Sequence, residues 1–430
     1  MTSQDGLESR AGRYRLSDGA YAWILFALST VLLLSDYMAR QVLNAVFPVL
    51  RQDWALSDAQ LGTLSGIVAV MVGLLTFPLS LAADRFGRIR AIVAMALLWS
   101  LATLACGLAQ SYGQMLVARV FVGVGEAAYG SVGVAVLMSV FPERRRATIS
   151  GAFMAGGALG SVLGVALGAQ VAVAFGWRTA FYAMAATAVL PAMIYLAIAR
   201  PEQDRPDNAR GGAPGFSFAS LLRLKSQLFG APVLVFTYLG SGLQFFVASA
   251  FIAWLPSYFN RVYGLDTAQA GAKAALFLLL GAIGMVACSI AADRAAQRSR
   301  PRKLSFAIGY ALLSFVAFSA AFLLPPGSAQ LSLLGVGMFF VAGVGGAAGA
   351  VVVNCTDATI HATALATVAL ANNILGLASG PIVTGVLADH LGLTAALQIA
   401  PAAGLAAAVA LGFARKHYAR DYARFQARRR

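Results

Sequence analysis

The sequence predicts an all-α membrane protein whose twelve transmembrane helices form two pseudo-symmetric six-helix bundles. The first observation is composition: of 430 residues, 59% are hydrophobic and 11% are charged, with a mean hydropathy of +0.75. Soluble domains carry about a quarter charged residues, so this composition excludes a soluble fold. The second observation is a series of apolar runs of about 20 residues or more, the length that spans a bilayer as a helix. The third is a short motif that recurs in the second half of the chain.

Apolar runs bounded by charged residues, glycine or proline place the twelve helices in order. They are predicted at about 21–48, 59–83, 90–110, 113–140, 147–174 and 179–199, and then at about 232–259, 267–292, 303–325, 329–353, 362–388 and 394–414. This order gives an N-terminal bundle over 21–199 and a C-terminal bundle over 231–414. The remaining segments are a tail at 1–20, a polar linker at 200–230 and a basic tail at 415–430. Within the linker, 216–225 is either a short surface helix or ordinary connecting chain.

An Ala-Ala-Asp-Arg sequence follows both the second and the eighth predicted helices. It lies in LAADRFGRIR at 81–90 and again in SIAADRAAQR at 289–298. Equivalent positions in the two halves indicate an internal repeat, and parallel repeats of this kind place a binding site near the membrane midplane between the halves. Charged turns at such positions can hold one conformation of the bundle pair, whereas an ordinary basic turn is the alternative, above all for the second copy. The predicted gating residues are Asp84, Arg85, Gly87, Arg88, Asp293 and Arg294.

Basic residues are distributed unequally between alternate connections. With both termini in the cytoplasm, 26 of the 32 Lys and Arg residues fall in cytoplasmic segments, and three, Arg51, Arg178 and Arg261, fall outside. This positive-inside pattern predicts cytoplasmic termini and a net charge of +15 that faces anionic lipid headgroups rather than nucleic acid. The polar first 20 residues predict a retained tail rather than a signal peptide. We expect a multi-pass protein of a bacterial inner (plasma) membrane that acts as a monomer.

Two acids, Asp36 and Glu126, lie deep within predicted helices. Carboxylates in hydrocarbon are costly, which makes both functional candidates by default. Arg40 follows Asp36 by four residues and Arg119 precedes Glu126 by seven, so each pair shares one face of its helix. If these faces meet inside the bundle, protonation of one acid frees an arginine for an anion. We predict that the acids are proton-coupling groups and that the arginines are charge partners or anion contacts; a permanent ion-pair lock is the alternative.

Further polar and aromatic side chains are candidates for a substrate pocket. Asn372 and Asn373 precede a stretch of the eleventh helix that is rich in glycine and contains a proline, where a kink is expected. Gln244, Phe245 and Trp254 lie on the seventh helix, where a lipid-facing aromatic belt is the alternative. These five residues are the pocket candidates of the second half.

The fifth predicted helix carries four glycines at strict four-residue spacing, at positions 156, 160, 164 and 168. Small residues on one stripe of a helix allow the backbone of a neighbouring helix to approach closely. The stripe therefore predicts tight helix packing and, second, a sliding surface.

Several function classes lack their motifs in this chain. No His-Glu-x-x-His, Gly-x-Ser-x-Gly or Gly-Lys-Ser/Thr sequence occurs, which argues against an intramembrane enzyme and against an ATP-driven pump. The three cysteines, Cys106, Cys288 and Cys355, and the three histidines are scattered, so we predict neither a disulfide framework nor a metal site. No cofactor is expected.

The D-R-x-G-R sequence at 84–88, the twelve spans and the polar central linker resemble the major facilitator superfamily over nearly the whole chain. The family pattern has glycine where Ser80 stands and prefers a basic residue where Ile89 stands. The resemblance implies a secondary transporter in which two six-helix bundles rock around a central site. The fifth helix has Gly160 followed by Ser161 where antiporter members have Gly-Pro, so the motif does not support antiport.

Within the superfamily, two helices resemble the spinster branch. The sequence 119–129 is similar to the spinster pattern R-x6-E-A-x-Y, which adds Tyr129 to the pocket candidates. The sequence Y-M-A-R at 37–40 resembles the spinster Y-M-D-R and adds Tyr37, but Ala39 replaces the aspartate, and Asp36 is a candidate to substitute for it. The resemblance implies a proton-coupled transporter of an amphipathic organic anion such as a lysolipid or a sphingoid phosphate. A carrier or exporter of small organic anions or drugs is the alternative.

Overall fold

The computed structural model describes residues 18–198, 227–298, 302–357 and 360–429. The N-terminal bundle consists of α1 (Asp18–Trp54), α2 (Asp58–Phe86), α3 (Arg88–Leu108), α4 (Tyr112–Glu126 and Tyr129–Val140), α5 (Glu143–Phe175) and α6 (Trp177–Ile198). The C-terminal bundle consists of α7 (Pro232–Tyr263), α8 (Thr267–Arg298), α9 (Arg302–Ala321), α10 (Ser328–Val341 and Gly345–Asn354), α11 (His361–Ala371, Asn372–Ala378 and Ser379–Leu391) and α12 (Leu393–Ile399 and Ala402–Arg429). Within these residues, 12 helices are long and apolar enough to cross a membrane, which confirms the predicted fold class.

Local sequence fixes the ends of α2. Its first turn is closed by a capping box in which Ser57 accepts a hydrogen bond from the Gln60 backbone and the Gln60 side chain accepts one from the Ser57 backbone. Its last turn ends at Gly87, whose φ of 109° lies in the region that favours glycine. A single residue therefore separates α2 from α3.

Four spans that the sequence predicts as continuous helices are interrupted in the structure. A turn at residues 127–128 divides α4, a 3₁₀ turn at Ala342–Val344 divides α10, a π-helical segment at Asn372–Ala378 divides α11, and a turn at residues 400–401 divides α12. The break in α10 falls in a glycine-rich sequence, and glycine weakens regular helix. Such local departures are common at functional sites in helices.

The twelfth helix, predicted to end near residue 414, continues to Arg429. Its extension is rich in alanine and arginine, which favour helix. It also packs on its own bundle, because Tyr418 and Asp421 are buried and Asp421 accepts a hydrogen bond from the Val233 backbone at the start of α7. The linker segment 216–225, for which a surface helix or ordinary connecting chain was considered, lies outside the described residues, as do most of the tail at 1–20 and most of the linker at 200–230.

The glycine stripe of α5 packs directly on α1. A β-carbon at Gly160 would overlap the backbone of Leu34, and one at Gly164 would lie 2.8 Å from the Met38 carbonyl oxygen. Gly156 and Gly168 approach α1 in the same way. The stripe therefore fixes α1, which carries the candidate charges, against α5.

The two bundles meet along α2 and α11 and along α5 and α8. A β-carbon at Gly62 would overlap the Pro381 carbonyl oxygen, and one at Gly271 would overlap Ala169. These contacts belong to the end of the molecule that holds the α1–α2, α7–α8 and α11–α12 connections, which we call the closed end. Toward the other end, α2 presents exposed apolar side chains from Leu74 onward, including Phe77 and Leu81.

Candidate functional site

Arg40 of α1 and Glu126 of α4 form an ion pair inside the N-terminal bundle. The Nε and Nη2 groups of Arg40 both donate to Glu126 Oε2, at 2.9 and 2.6 Å. The Glu126 side chain is fully buried, whereas 16% of the Arg40 side chain is exposed. The partly accessible guanidinium group of Arg40 is thus paired with the fully buried carboxyl group of Glu126.

Asp36 lies one helical turn before Arg40 and is buried near Glu126. The charges of Asp36, Glu126 and Arg40 act on one another. Asp36 Oδ1 and Glu126 Oε1 are buried and receive no hydrogen bond from any described donor. Two carboxyl groups can share a hydrogen bond when one of them carries a proton. The arrangement therefore offers a proton site between two acids beside one guanidinium group.

The break in α4 positions Glu126. Glu126 is the last residue of the first helical piece, and the following turn exposes the Ala127 carbonyl, which accepts a hydrogen bond of 2.6 Å from Thr76 of α2. Ser131 closes the same turn by donating to the Ala128 carbonyl. The polar side chains of α2 and α4 thus satisfy backbone groups that the interrupted helix leaves unpaired.

Arg119 occupies a different position from the one that the sequence suggested. It is fully buried, and its guanidinium group donates to the backbone carbonyls of Leu64, Ala39 and Arg40. These hydrogen bonds join α4 to α1 and α2. Because Arg119 lies about 10 Å along α4 from Glu126, it contacts neighbouring backbones, whereas Arg40 reaches the carboxylate.

The two tyrosines suggested by the spinster resemblance occupy different surroundings. Tyr37 lies beside the charge site, with the Arg40 guanidinium 5.3 Å from its ring centre. Tyr129 is fully buried and donates to the Ser29 carbonyl at 2.7 Å, and its ring packs against Trp99. Tyr129, predicted as a pocket residue, thus lies in the core of the N-terminal bundle just after the α4 break.

Asn372 and Asn373 begin the π-helical segment of α11. Both carry a buried Oδ1 atom that accepts no hydrogen bond from a described donor, while Asn373 Nδ2 donates to the Ala369 carbonyl at 2.9 Å. A β-carbon at Gly73 of α2 would lie 3.0 Å from the Asn373 Cβ. Thr76 contacts the α4 break. Gly73 lies three residues before Thr76, which is about 4.5 Å along the axis of α2. The π segment therefore lies at nearly the same depth as the charge site of the opposite bundle.

The three candidates on α7 are largely occupied within their own bundle. Gln244 is buried and donates to Ser314 and to the Val341 carbonyl, at 3.0 and 3.1 Å. Trp254 is buried and donates to the Pro381 carbonyl. Gln244 and Trp254, predicted as pocket residues, are thus hydrogen-bonded within the C-terminal bundle. Phe245 is partly exposed and packs near the π segment at Gly376.

The duplicated loops contain local ion pairs. Arg88 donates to Asp84 at 2.7 Å across one turn, and Arg85 lies over the ring of Phe86. In the second copy Asp293 pairs with Lys303 of α9 at 2.5 Å. Arg294 is exposed. The loops thus share an aspartate at the helix end but differ in the cation that meets it.

Sequence reasoning missed the charged groups that join the bundles at the closed end. Asp58 of α2 is 2% exposed, and both of its carboxylate oxygens accept hydrogen bonds from Arg261 of α7, at 2.6 and 2.7 Å. Asp389 of α11 accepts from the backbone N–H groups of Asp58 and Ala59, at 2.7 and 2.9 Å, and so caps α2 from the other bundle. The sequence does show acids at helix ends and only a few arginines, such as Arg261, in the outer connections. These two features were the available signal for an ion pair at this end.

The family model described as Major Facilitator Superfamily matches residues 30–374, which include the charge site, both duplicated loops and the start of the π segment. The chain belongs to the Major Facilitator Superfamily. It is accordingly a multi-pass integral membrane transporter, and neither the family nor the relatives below are enzymes.

Two curated relatives and one solved structure illustrate the range of similar proteins. A hexuronate transporter of Bacillus subtilis (strain 168) is 22% identical over 83% of this chain and 86% of its own length. A probable sphingolipid transporter, spinster homolog 2, of Arabidopsis thaliana is 26% identical over 79% of this chain and 72% of its own. A bacterial homologue of the human lysosomal transporter spinster, solved in an inward-facing and unoccupied conformation, aligns with a TM-score of 0.77 and 20% identity over 95% of this chain and 98% of that chain. The predicted spinster resemblance is thus supported by both sequence and fold.

Proposed function

We propose that this protein is a proton-coupled secondary transporter that moves a small organic anion by alternating access. The observation that carries the proposal is the Arg40–Glu126 ion pair with Asp36 buried beside it: two acids that could share one proton near a guanidinium group that is partly exposed. Buried ionisable groups in membrane transporters mark proton and substrate pathways. The anion preference is also suggested by the hexuronate transporter among the relatives.

In the proposed mechanism, proton and anion exchange places around Arg40. While Glu126 is ionised, the Nε and Nη2 groups of Arg40 donate to its Oε2 atom. A proton that binds at the Asp36–Glu126 pair cancels the charge that holds the guanidinium group. Arg40 can then donate to the carboxylate of a substrate, because paired donors of arginine match a carboxylate. A monoanion and one proton would cross together, and we expect uptake without net charge movement.

The C-terminal bundle would supply the second wall of the substrate site through Asn372 and Asn373. Their buried Oδ1 atoms lack described donors, and the π segment lies at nearly the same depth as Arg40 and Glu126. Hydroxyl groups of a polar substrate could donate to these oxygens. Tyr37 and Phe245, which lie beside the charge site and beside the π segment, are proposed to line the same space.

The orientation proposed from the positive-inside count places both termini in the cytoplasm of a bacterial cell and the closed end outside the inner membrane. Under this assignment the bundles are joined on the outer side, where Asp58 meets Arg261. The proposed working unit is a monomer, since one chain provides both bundles and both walls of the site. The charged loops after α2 and α8, including Asp84 and Asp293, are proposed to stabilise one state of the bundle pair on the cytoplasmic side.

An amphipathic anion such as a lysolipid or a sphingoid phosphate is a second candidate substrate. It is favoured by the similarity to the Arabidopsis thaliana spinster homologue and by the sequence patterns of α1 and α4. The same Arg40 would then meet a phosphate. Substrate class is therefore the point at which the two candidates differ.

Transport in proteoliposomes tests both candidates. We expect an imposed proton gradient to drive uptake of galacturonate, and Glu126→Gln to abolish proton-driven accumulation while the variant still folds. Glu143→Gln, which changes an exposed carboxylate at the start of α5, is the matched control and should behave like the wild type. Competition by lysophospholipids, but by no small organic acid in a panel, would favour the amphipathic substrate. Unchanged coupling in Glu126→Gln would refute the proton mechanism.

A further inference from the structure

We propose that the closed end contains a carboxylate-binding site at which an incoming anion takes Arg261 away from Asp58 and so releases the two bundles. The inference rests on the proposed function, because it concerns how the same anionic substrate gains access. It is carried by a cavity, two arginines and one buried aspartate at the end where the bundles meet.

The cavity lies directly beside the Asp58–Arg261 pair. It has a volume of about 370 Å³, within the range of small-molecule sites, and its polar lining includes Arg51, Gln52, Asn260 and Arg261. Arg51 and Gln52 come from the end of α1, whereas Asn260 and Arg261 come from the end of α7. The cavity therefore spans both bundles.

The two arginines of the cavity differ in how firmly they are bound. Arg261 donates twice to Asp58, and 20% of its side chain is exposed. Arg51 is 47% exposed, and its Nε lies 3.6 Å from Asp58 Oδ1, too far for a strong hydrogen bond. Arg51 is thus available to an anion, and Arg261 lies next to it.

The acids of the closed end have definite partners. Asp389 places both oxygens on the backbone N–H groups of Asp58 and Ala59, and Asp53 accepts a hydrogen bond from the Trp177 indole. Asp58 is the acid that holds an arginine of the opposite bundle. Separation of the bundles would break that pair and leave Arg261 without its partner, and breaking a buried ion pair is strongly disfavoured.

An anion in the cavity removes this obstacle by an exchange of partners. Its carboxylate can accept the two donors of Arg261 that Asp58 now accepts. Asp58 then turns to Arg51, which belongs to its own bundle and is already 3.6 Å away. Asp58 is then paired with Arg51 and Arg261 with the substrate, while the exposed Asp389 exchanges the α2 backbone N–H groups for water. An uncharged molecule of the same size cannot make this exchange, so opening of the closed end becomes selective for anions.

Spin labels at Gln110→Cys and Ala329→Cys measure the opening, because both positions are exposed at the closed end, one on each bundle, and the native cysteines are buried. The probes are galacturonate and benzoate, compared with galactose and benzyl alcohol as uncharged counterparts. The measurement is made in an Arg40→Gln, Glu126→Gln background, so that binding at the central site does not contribute and no buried carboxylate is left unpaired. We expect the two anions, and neither uncharged counterpart, to lengthen the distance between the labels.

Variants separate the exchange from simple loss of an ion pair. Asp58→Asn should show the long distance without any anion, and Arg51→Gln should raise the half-saturating anion concentration at least tenfold. Arg51 is half exposed, so this variant folds even if Asp58→Asn does not. Asp53→Asn, in the neighbouring turn, is the matched control and should leave the half-saturating concentration unchanged.

Two outcomes overturn the inference. One is a label distance that responds equally to charged and uncharged probes or to none, and the other is an anion response that Arg51→Gln leaves unchanged. If galacturonate uptake by the wild-type protein persists in either case, the closed-end site fails while the proposed function stands. If the labels respond to anions but no organic acid is taken up, the proposed function fails instead.

Discussion

Arg40 directs two N–H groups to the same oxygen of Glu126 and leaves the second oxygen of that carboxyl group facing away from any described donor. A guanidinium group more often binds both oxygens of a carboxylate, one with each donor. Here the second oxygen is available to the neighbouring acid, Asp36. The ion pair and the neighbouring acid are therefore parts of one arrangement around Glu126.

The first prediction concerns Arg40→Gln. Because the Glu126 side chain is fully buried, removal of its cation leaves a buried carboxyl group without a charge partner, which typically costs about 3–5 kcal/mol when the acid stays ionised. We expect a lower midpoint of thermal unfolding in detergent and no proton-driven uptake in proteoliposomes.

The double variant Arg40→Gln with Glu126→Gln provides the control for the first prediction. Two neutral amides can pair with each other, so most of the lost stability should return while uptake remains absent. A double variant as unstable as Arg40→Gln would show that Arg40 stabilises the bundle through contacts other than Glu126.

The second prediction contrasts Arg119 with Arg40. Arg119 donates to three backbone carbonyls of α1 and α2, so Arg119→Gln should destabilise the fold by about 2 kcal/mol or more. The protein that remains folded should keep the wild-type ratio of protons to substrate, measured by parallel flux assays at low temperature. A changed ratio would place Arg119 in the coupling mechanism.

The identity of the charged residues in the candidate site could be predicted from sequence, but their pairing could not. A carboxylate such as Asp36 or Glu126 within a long apolar run is visible in the sequence because hydrocarbon penalises it. The partner of Glu126 depends on how α1 and α4 face each other, and the turn after Glu126 changes that orientation. No strong helix breaker marks this turn in the sequence, where two alanines stand.

The contacts at the closed end could not be predicted from the sequence for a related reason. Asp58 and Arg261 are 203 residues apart in the sequence, and each has the local sequence pattern of an ordinary polar residue at a helix end. Their contact arises from the packing of the two bundles, which periodicity within one helix does not describe. The twelve spans and their order could be predicted because each depends on a local apolar run, and the glycine stripe of α5 could be predicted because its spacing lies within one helix.

The third prediction tests the packing of α5 on α1. A β-carbon at Gly160 would overlap the backbone of Leu34, which cannot move without displacing α1 and its charges. Overpacking typically costs about 1–3 kcal/mol, so Gly160→Ala should lower the thermal unfolding midpoint and reduce the uptake rate. The unfolding midpoint is measured on the purified protein in detergent, and the uptake rate is measured after reconstitution into proteoliposomes.

Gly151→Ala is the matched control for the packing prediction. It lies in the same helix, and no atom lies within 4 Å of the added β-carbon. Alanine is a better helix former than glycine by up to about 1 kcal/mol, so this variant should be as stable as the wild type or slightly more stable. Equal effects of the two substitutions would contradict close packing at Gly160.

The fourth prediction concerns Gly87, which joins α2 to α3 with a φ of 109°. A residue with a β-carbon is strained in that region by about 1–3 kcal/mol, so Gly87→Ala should destabilise the protein by that amount. The strain acts on the turn that holds Asp84 and Arg88, and we therefore expect a slower transport rate as well as a lower unfolding midpoint. Gly309→Ala, inside α9 with no atom near the added carbon, controls for the change of residue and should leave both measurements at or above wild type. If Gly87→Ala lowers stability but leaves the rate of transport untouched, the α2–α3 turn serves the fold alone and has no part in gating.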